Sequence, residues 1–482
     1  MMRSFTWSRS VGGLLVFALV LLAAGCSGSS TTPPPGQAPG ALSGSLALFG
    51  QDAPLDNLVK FEITVTGITL NPGNVQVSLP AGGVRLELTS LQITTDLIRL
   101  DQNIPAGTYT SVDLTLANPE IKFRDETTGA IVELEDTQLP LQTSSVTINV
   151  SFSIAQGQLT ALLFDFDLRA MVITDAGSNI TGVNPSGNIA VSLVNVAGDV
   201  GEFEDEIGRV VSVNATDSTF VFEPFSSCQQ VTITTDTATV FEDFGKATPP
   251  LADAFASLQV DQIVEVDADL RVDGTFLAEK VEFEDDAMED EIEGLIVEIP
   301  AGARDAVTGA VSQFKLVLFD VAPCTATLPA DDIFTVNVST TPGVVDFRID
   351  EDDLSVDPAL FDGPEDLEVG QKVDVDPAVA DVSTITSATP ITAEKIKLED
   401  QTIRGTVAAP IATLAFDLVP AATLFSDSSI TVQISLAETE FDDLPGGIND
   451  LFIGKAVRVR GLLFRDLAGE LIFEAKRVDG TP

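Results

Sequence analysis

The clearest pattern in the sequence is an alternation of apolar and polar side chains that begins near position 44 and continues to about position 198. It is strictest from Val59 to Thr66, where odd positions are apolar and even positions polar, and this predicts a strand with one buried face. Similar short runs follow, separated by Gly, Pro, Asn and Asp, at residues 84–88, 112–116, 146–154, 164–168 and 189–196. None of them has a helical period, so residues 44–198 are predicted to form a β-sandwich.

From about position 204 the pattern of strands repeats three times. Each unit opens with an apolar strand near a Gly, and the three openings are at residues 207–211, 292–296 and 403–407. Each later has a turn and an alternating strand, at residues 260–266, 369–375 and 453–459, and closes with another strand, at 278–283, 393–398 and 473–478. We predict an all-β chain in which three small OB-like β-barrels in series follow the sandwich, at residues 204–286, 290–400 and 401–480.

The start of the chain has the features of an export signal. Residues 1–25 contain two arginines, an apolar run from Leu14 to Leu22 and then small residues, and that run is shorter than the roughly 20 residues that span a bilayer. The end, Leu22-Ala23-Ala24-Gly25-Cys26, resembles the lipobox of bacterial lipoproteins, which implies that Cys26 is lipidated; an ordinary secretory signal with an incidental Cys is the alternative. Residues 26–43, rich in Ser, Thr, Pro and Gly, are expected to form a tether.

Composition excludes several classes of function. The chain has 25 Lys and Arg against 73 Asp and Glu, a formal net charge of −48, which disfavours nucleic-acid binding because that binding rests on cationic side chains. There is no His anywhere, so the commonest general base, the Ser–His nucleophile pair and the usual zinc ligands are absent. We expect a membrane contact through the lipid, with a protein or polysaccharide partner that the sequence does not identify.

Two segments resemble known families. Gln51-Asp52-Ala53-Pro54 and Ile104 to Thr110 resemble a bacterial lipoprotein domain, domain of unknown function 4382, and the three C-terminal units resemble domain of unknown function 5666, which is often found in tandem in exported proteins. Neither resemblance implies a catalytic set or an established ligand. Tyr109 lies in the stretch from Ile104 to Thr110. We interpret it as the structural start of a strand, with a ligand contact as the alternative. By resemblance to sorting in Gram-negative bacteria, Ser27 after the lipidated Cys favours the outer membrane of the cell envelope.

Clusters of acidic residues are the best candidates for a site. Calcium takes six to eight oxygen ligands, so dense carboxylates could hold it. None of the runs matches the spaced Asp loop of known calcium sites, and a solvated charge run is the preferred interpretation. The candidate ligands are Glu284, Asp285, Asp286, Asp290, Asp350, Asp352 and Asp353. We expect no cofactor, with calcium as the alternative. A pair of carboxylates could also hydrolyse a glycosidic bond, but nothing distinguishes such a pair here.

Two cysteines remain after the lipidated one. Cys228 and Cys324 follow the second predicted strand of their units in an oxidising compartment, where a disulfide can form. Matching positions in successive barrels normally lie a domain width apart, whereas a disulfide needs Cα atoms within about 7 Å. We therefore expect two separate buried thiols, with a Cys228–Cys324 disulfide as the alternative.

These observations predict a non-enzymatic envelope lipoprotein that acts as a spacer, scaffold or adhesion-type binding module. A calcium-dependent ligand-binding lipoprotein is the alternative, and a carboxylate-based hydrolase is a more remote one.

Overall fold

The computed structural model describes residues 43–480, except for the segments 54–57, 90, 92–94, 126–127, 136, 176–178, 196–200, 226, 243–250, 284–291, 322–332, 350–353, 355, 379–384, 413, 422–428 and 466–468. Nearly all regular structure in this part is β-strand, which confirms the all-β fold class. The helices are short: α1 (Leu168–Met171), α2 (Leu251–Ser257) and two 3-10 turns at Pro358–Leu360 and Gly447–Asp450. Among the described residues, no helix has the length and apolar character needed to cross a membrane.

In the described part of residues 43–194, twelve strands form the N-terminal region, ten of them in the two sheets of the sandwich. They are β1 (Ser43–Ala53), β2 (Leu58–Asn71), β3 (Val75–Gln76), β4 (Val84–Glu87), β5 (Asp96–Pro105), β6 (Gly107–Arg124), β7 (Ile131–Leu134), β8 (Ser145–Ile154), β9 (Leu159–Asp167), β10 (Val172–Thr174), β11 (Ile180–Val183) and β12 (Ile189–Val194). One sheet has the order β12-β9-β1-β5, and the other has the order β3-β2-β6-β7 with β4 on β2 and β8 on β6. Strands β10 and β11 form a separate hairpin.

The core of the sandwich lies between these two sheets. Leu48 and Phe164 of the first sheet pack with Phe61 and Ile63 of the second, as the alternating pattern predicts. The prediction that β2 has one solvated face is wrong, because Lys60 on the other face is completely buried. Its ammonium group lies 3.0 Å from the carboxylate of Glu62, and this pairing compensates for the loss of water around both charges.

The described residues from Glu202 onward contain eighteen strands, six in each of the three barrels. Barrel one contains β13 (Glu202–Asn214), β14 (Thr219–Pro224), β15 (Val231–Thr234), β16 (Val240–Glu242), β17 (Ile263–Leu270) and β18 (Phe276–Phe283). Barrel two contains β19 (Ile292–Glu298), β20 (Gln313–Val321), β21 (Ile333–Asn337), β22 (Asp346–Ile349), β23 (Lys372–Pro377) and β24 (Ile391–Glu399). Barrel three contains β25 (Gln401–Ile411), β26 (Ala415–Pro420), β27 (Ile430–Ile434), β28 (Glu440–Asp442), β29 (Ala456–Arg465) and β30 (Leu471–Asp479).

The three barrels share one connectivity. In each barrel the first strand pairs with the second and with the fifth strand. The third strand pairs in parallel with the sixth. This last pairing closes five strands into a barrel, and the short fourth strand lies in parallel on the outside of the final one. The closed five-stranded connectivity is that of an OB-fold.

A glycine in the first strand of each barrel marks a close approach to the second strand. A Cβ atom at Gly208 would lie 2.5 Å from the backbone oxygen of Glu223. The same carbonyl position faces Gly294 in barrel two and Gly405 in barrel three, where it belongs to Val317 and Val419. Only glycine fits such a crossing, so the repeated Gly in the sequence has a steric cause. The residues that face these glycines, Glu223, Val317 and Val419, occupy equivalent positions in the three barrels.

The turn before the fifth strand of each barrel gives a second alignment. Asp261, Gly370 and Gly454 have φ angles of 67°, 96° and 91°, the left-handed region that glycine adopts without strain. The amide of each donates a hydrogen bond to the first strand of its barrel, to the oxygens of Val210, Ile296 and Val407. The preceding residues therefore occupy equivalent places, and they are Val260, Val369 and Ile453.

The sandwich and barrel one share a hydrophobic core. Strand β1 buries Leu48 in the sandwich, while its neighbour Phe49 packs on the opposite face with Phe203 and Phe276 of barrel one. The side chain of Gln229 adds a polar link, because its amide accepts a hydrogen bond from the backbone of Leu100 (3.1 Å) and donates one back (3.4 Å). The first sheet is therefore buried on both faces.

Candidate functional site

The carboxylates predicted as calcium ligands cannot be placed in the fold. All seven lie outside the described residues: Glu284, Asp285, Asp286, Asp290, Asp350, Asp352 and Asp353. Within the part of the chain that the structure describes, no group of three or more His, Cys, Asp or Glu side chains is arranged to hold a metal ion. The calcium site stays a prediction from the sequence, as does lipidation of Cys26, which also lies outside the described residues.

Cys228 is an exposed residue on the turn between β14 and β15, with a φ angle of 53°. It is disulfide-bonded, so the expectation of a buried free thiol is wrong at this position. That expectation assumed a side chain inside the barrel, whereas an exposed turn can reach a cysteine elsewhere in the chain. The two other cysteines, Cys26 and Cys324, lie outside the described residues, and the Cys228–Cys324 pairing stays a prediction.

Tyr109 has a structural role. Its ring is buried and stacks on Phe152 with 5.4 Å between ring centroids. Its hydroxyl donates a 2.7 Å hydrogen bond to the backbone oxygen of Pro105, the geometry of a tyrosine corner. Burial raises the pKa of the hydroxyl above its ordinary value, which keeps it in the protonated, donating form.

A buried set of charges joins barrel one to barrel two. The ammonium group of Lys397 on β24 lies 3.5 Å from the carboxylate of Glu265 on β17 and 3.3 Å from that of Glu399. Glu265 is also 3.1 Å from Lys280 of its own barrel. We call these four residues the ionic joint. Removing one member of a buried ionic set weakens the charge compensation of the others and is destabilising, so the joint favours one arrangement of the two barrels.

The carboxyl of Asp374 lies beside this joint. Burial, followed by repulsion from Glu293, raises its pKa to about 7, although Lys397 and Lys372 act in the opposite direction. For Lys372 burial lowers the pKa, but Glu293 and other carboxylates outweigh it and the net direction is upward. A raised carboxyl pKa is a feature of general acids. However, Asp374 is only 4% exposed, and this burial favours a structural role over a catalytic one.

A second joint connects barrels two and three. Glu368 accepts hydrogen bonds from Arg304 (2.8 Å) and from Arg465 of barrel three (2.7 Å). The side-chain amide of Gln371 donates a 3.0 Å hydrogen bond to the backbone oxygen of Leu463. Phe464 completes the contact by packing into the core of barrel two, so this joint combines directed polar contacts with apolar burial.

Barrel two also presents an apolar outer face, and this face is covered. Val317 on β20 and Val297 on β19 pack with Val59 and Ile131 of the sandwich. Val369, at the turn before β23, belongs to the same cluster. The outer side of the first two strands, together with this turn, therefore serves as a docking surface inside the chain.

The equivalent face of barrel three is exposed. Its members are Thr406, Val419, Phe452 and Ile453, which we call the terminal face; the last three are 45%, 60% and 67% exposed. Val419 pairs with Thr406, and Thr406 pairs with Ala456 at the end of the turn that carries Phe452 and Ile453. The amide of Gly454 in this turn donates a hydrogen bond to the oxygen of Val407, the neighbour of Thr406, so the turn lies beside the paired Thr406 and Val419.

Barrel one differs at the same face. There Arg209 lies 2.6 Å from Glu223 and 3.1 Å from Asp261, so the corresponding surface is charged and suited to water. Of the three equivalent faces, one is docked, one is charged and one is apolar and exposed. The terminal face was not predicted from the sequence, although the alignment of Ile453 with Val369 was the available signal.

Comparisons with known protein families give matches for the sandwich and for barrel one. Residues 43–183 match a family described as Domain of unknown function (DUF4382), and residues 207–282 match Domain of unknown function (DUF5666). The resemblances are therefore confirmed for the sandwich and for barrel one. No curated protein matches the chain. A solved structure, "drosophila Unr CSD456", is similar at 13% identity over 58% of this chain and 98% of its own, but the TM-score of 0.12 is too low to support an argument.

Proposed function

We propose that the protein is a non-enzymatic lipoprotein of the bacterial cell envelope, anchored through lipid on Cys26, that acts as a rigid scaffold. In this proposal barrels two and three are further copies of the second domain family, because they share the connectivity, the crossing glycine and the left-handed turn of barrel one. The acyl chains on one cysteine supply enough buried methylene groups, at about 0.8 kcal/mol each, for stable anchoring.

One observation carries the scaffold role: each folded module is joined to the next by buried contacts. The sandwich shares a core with barrel one, the ionic joint connects barrels one and two, and Glu368 and Gln371 connect barrels two and three. Contacts of this kind restrict relative motion of domains, which is otherwise the default for domains in series. A rigid body presents its outer surfaces at fixed positions, as a scaffold requires.

The anchor is tested by cell fractionation with Cys26→Ser. This variant is expected to lose incorporation of a labelled fatty acid and to leave the membrane fraction, while the control Ser29→Ala behaves as the wild type. A Cys26→Ser protein that still carried the label and sedimented with membranes would contradict the proposal.

The scaffold is tested with Lys397→Met, which removes the ion pair between Lys397 of barrel two and Glu265 of barrel one. Amide exchange in β17 and β24 is expected to become at least about tenfold faster, the effect of about 1.4 kcal/mol or more. The control is Lys315→Met, which breaks an exposed ion pair with Glu298 and is expected to change exchange little. Equal effects of the two variants would argue against a fixed arrangement of the barrels.

A further inference from the structure

The terminal face of barrel three is an apolar surface in the same position as a surface that barrel two uses for docking. On barrel two, Val317 and Val369 are buried against the sandwich. Their equivalents on barrel three, Val419 and Ile453, are 45% and 67% exposed, and Phe452 beside them is 60% exposed. We propose that this face binds the same face of a second copy of the chain, forming a two-fold symmetric dimer.

Symmetry favours this occupant. In a two-fold dimer the same patch is used on both copies, so the patch must be complementary to itself. Val419, Phe452 and Ile453 satisfy this condition because their side chains have no donor or acceptor to match. The strand that carries Val419 is already paired, since β26 pairs with β25 at Val419 itself and with β27 from Ala415 to Leu418. Contact between two such faces therefore removes apolar surface from water without stranding the ladder hydrogen bonds.

Another copy's sandwich is a poorer occupant. The sandwich residues that cover the equivalent face of barrel two are Val59 and Ile131, and in each copy they are already engaged by that copy's own barrel. The terminal face of a second chain has no such prior contact among the described residues, as the exposure of Phe452 and Ile453 shows. A pairing of two terminal faces leaves every internal joint intact.

Charge also favours contact through barrel three. Residues 401–482 contain seven Lys or Arg and eleven Asp or Glu, a formal charge of −4 out of −48 for the whole chain. Two copies therefore repel each other least when these segments meet. Lys455, whose ammonium group lies 5.7 Å from the centre of the Phe452 ring, puts a positive charge at the edge of the face. Since salt screens the remaining repulsion beyond about 10 Å at 0.1 M, the dimer is expected to strengthen as salt rises.

The small size of the face sets the expected affinity. Stable interfaces bury about 800 Å² per partner, and smaller ones are weak or transient. We therefore expect a dissociation constant of roughly 10–100 µM in solution. Anchoring two copies in one membrane would raise their effective concentration, but the dimer itself does not depend on the anchor or on the proposed scaffold role.

The test is sedimentation equilibrium of the full mature chain, beginning at position 26 and carrying Cys26→Ser so that no lipid is attached. The wild-type surface is expected to give a monomer–dimer equilibrium that is tighter in 500 mM than in 50 mM NaCl. Ile453→Asp is expected to weaken it at least about tenfold, because it places two like charges at the contact. Both outcomes are read from the fitted dissociation constant.

Val260→Asp is the matched control. It adds the same charge at the equivalent turn of barrel one, where the valine is 55% exposed, and it is expected to leave the dissociation constant unchanged. Far-ultraviolet circular dichroism and melting temperature verify that both variants are folded. A chain that stays monomeric up to about 0.5 mM at both salt concentrations would overturn the proposal. So would a dimer that Ile453→Asp leaves intact, or one that both variants weaken equally.

Discussion

Replacing Gly405 with alanine adds a methyl group at the crossing of the first two strands of barrel three. The new Cβ would lie 2.8 Å from Cγ of Leu418, and the backbone oxygen of Val419 would be nearer still. Favourable carbon contacts lie at about 3.5–4.0 Å, so the overlap is close to 1 Å. Strand β25 cannot move away freely, because it is hydrogen-bonded to β26 on one side and to β29 on the other.

Overpacking of a closed core lowers the free energy of unfolding by about 1–3 kcal/mol. Because the clash involves backbone on a doubly paired strand, we expect Gly405→Ala to lower it by about 2 kcal/mol. For a domain of the size of barrel three, this corresponds to a fall in melting temperature of about 8–16 °C. The chain has several folded modules, so one melting curve does not report on barrel three alone. Amide exchange in β25 and β26 is the specific assay, and about 2 kcal/mol predicts exchange roughly 30-fold faster there.

Gly107→Ala is the control for this prediction. Gly107 opens β6, and an added Cβ would meet no atom within 4 Å. Alanine there is expected to be neutral or to stabilise by about 0.4–1 kcal/mol, because it restricts the unfolded chain. If Gly405→Ala exchanged and melted like Gly107→Ala, the steric explanation for the repeated glycine would be wrong.

Two other predictions come from the structure and a third from the sequence. Tyr109→Phe is expected to cost about 1 kcal/mol by thermal unfolding, because it leaves the oxygen of Pro105 without its hydrogen bond; no change would show that water replaces the hydroxyl. Since folding raises the pKa of Asp374 to about 7, the folded chain holds this proton more tightly than the unfolded chain, and stability falls as pH rises from about 4 to about 7. Asp374→Asn should flatten that part of the pH profile of the melting temperature, and an unchanged slope would refute the assignment. Millimolar calcium in low-salt buffer is expected to raise the melting temperature if the acidic runs at 284–291 and 350–353 bind it, and an unchanged temperature would remove that hypothesis.

The inner faces of the strands were predictable from the sequence because alternation reports directly on burial. The residues Phe61, Ile63 and Val65 are in the sandwich core as expected. The outer face of the same strand was not predictable, since Lys60 and Glu62 look like solvated residues until their pairing and burial are known. Sequence patterns describe the faces of single elements, whereas contacts between modules depend on tertiary packing.

The repeats illustrate both sides of this limit. The glycines at 208, 294 and 405 identified the three units, because a close strand crossing permits no side chain. Whether the outer face of each barrel is docked, charged or exposed could not be predicted, because Val260, Val369 and Ile453 are similar residues with different surroundings. Helix α2, a single segment of seven residues, was also missed, since it is too short for a helical period to stand out.

The sheet that contains β1 is buried on both sides, and this affects how the protein can be divided for study. A fragment ending after the sandwich would expose Phe49, Leu97 and Leu163 together, a contiguous apolar surface of the kind that leads to aggregation. A fragment beginning at barrel one would uncover Phe203 and Phe276 in the same way. A fragment must therefore contain both the sandwich and barrel one, from Ser43 through Phe283, to keep this shared core intact, although the two regions match separate families.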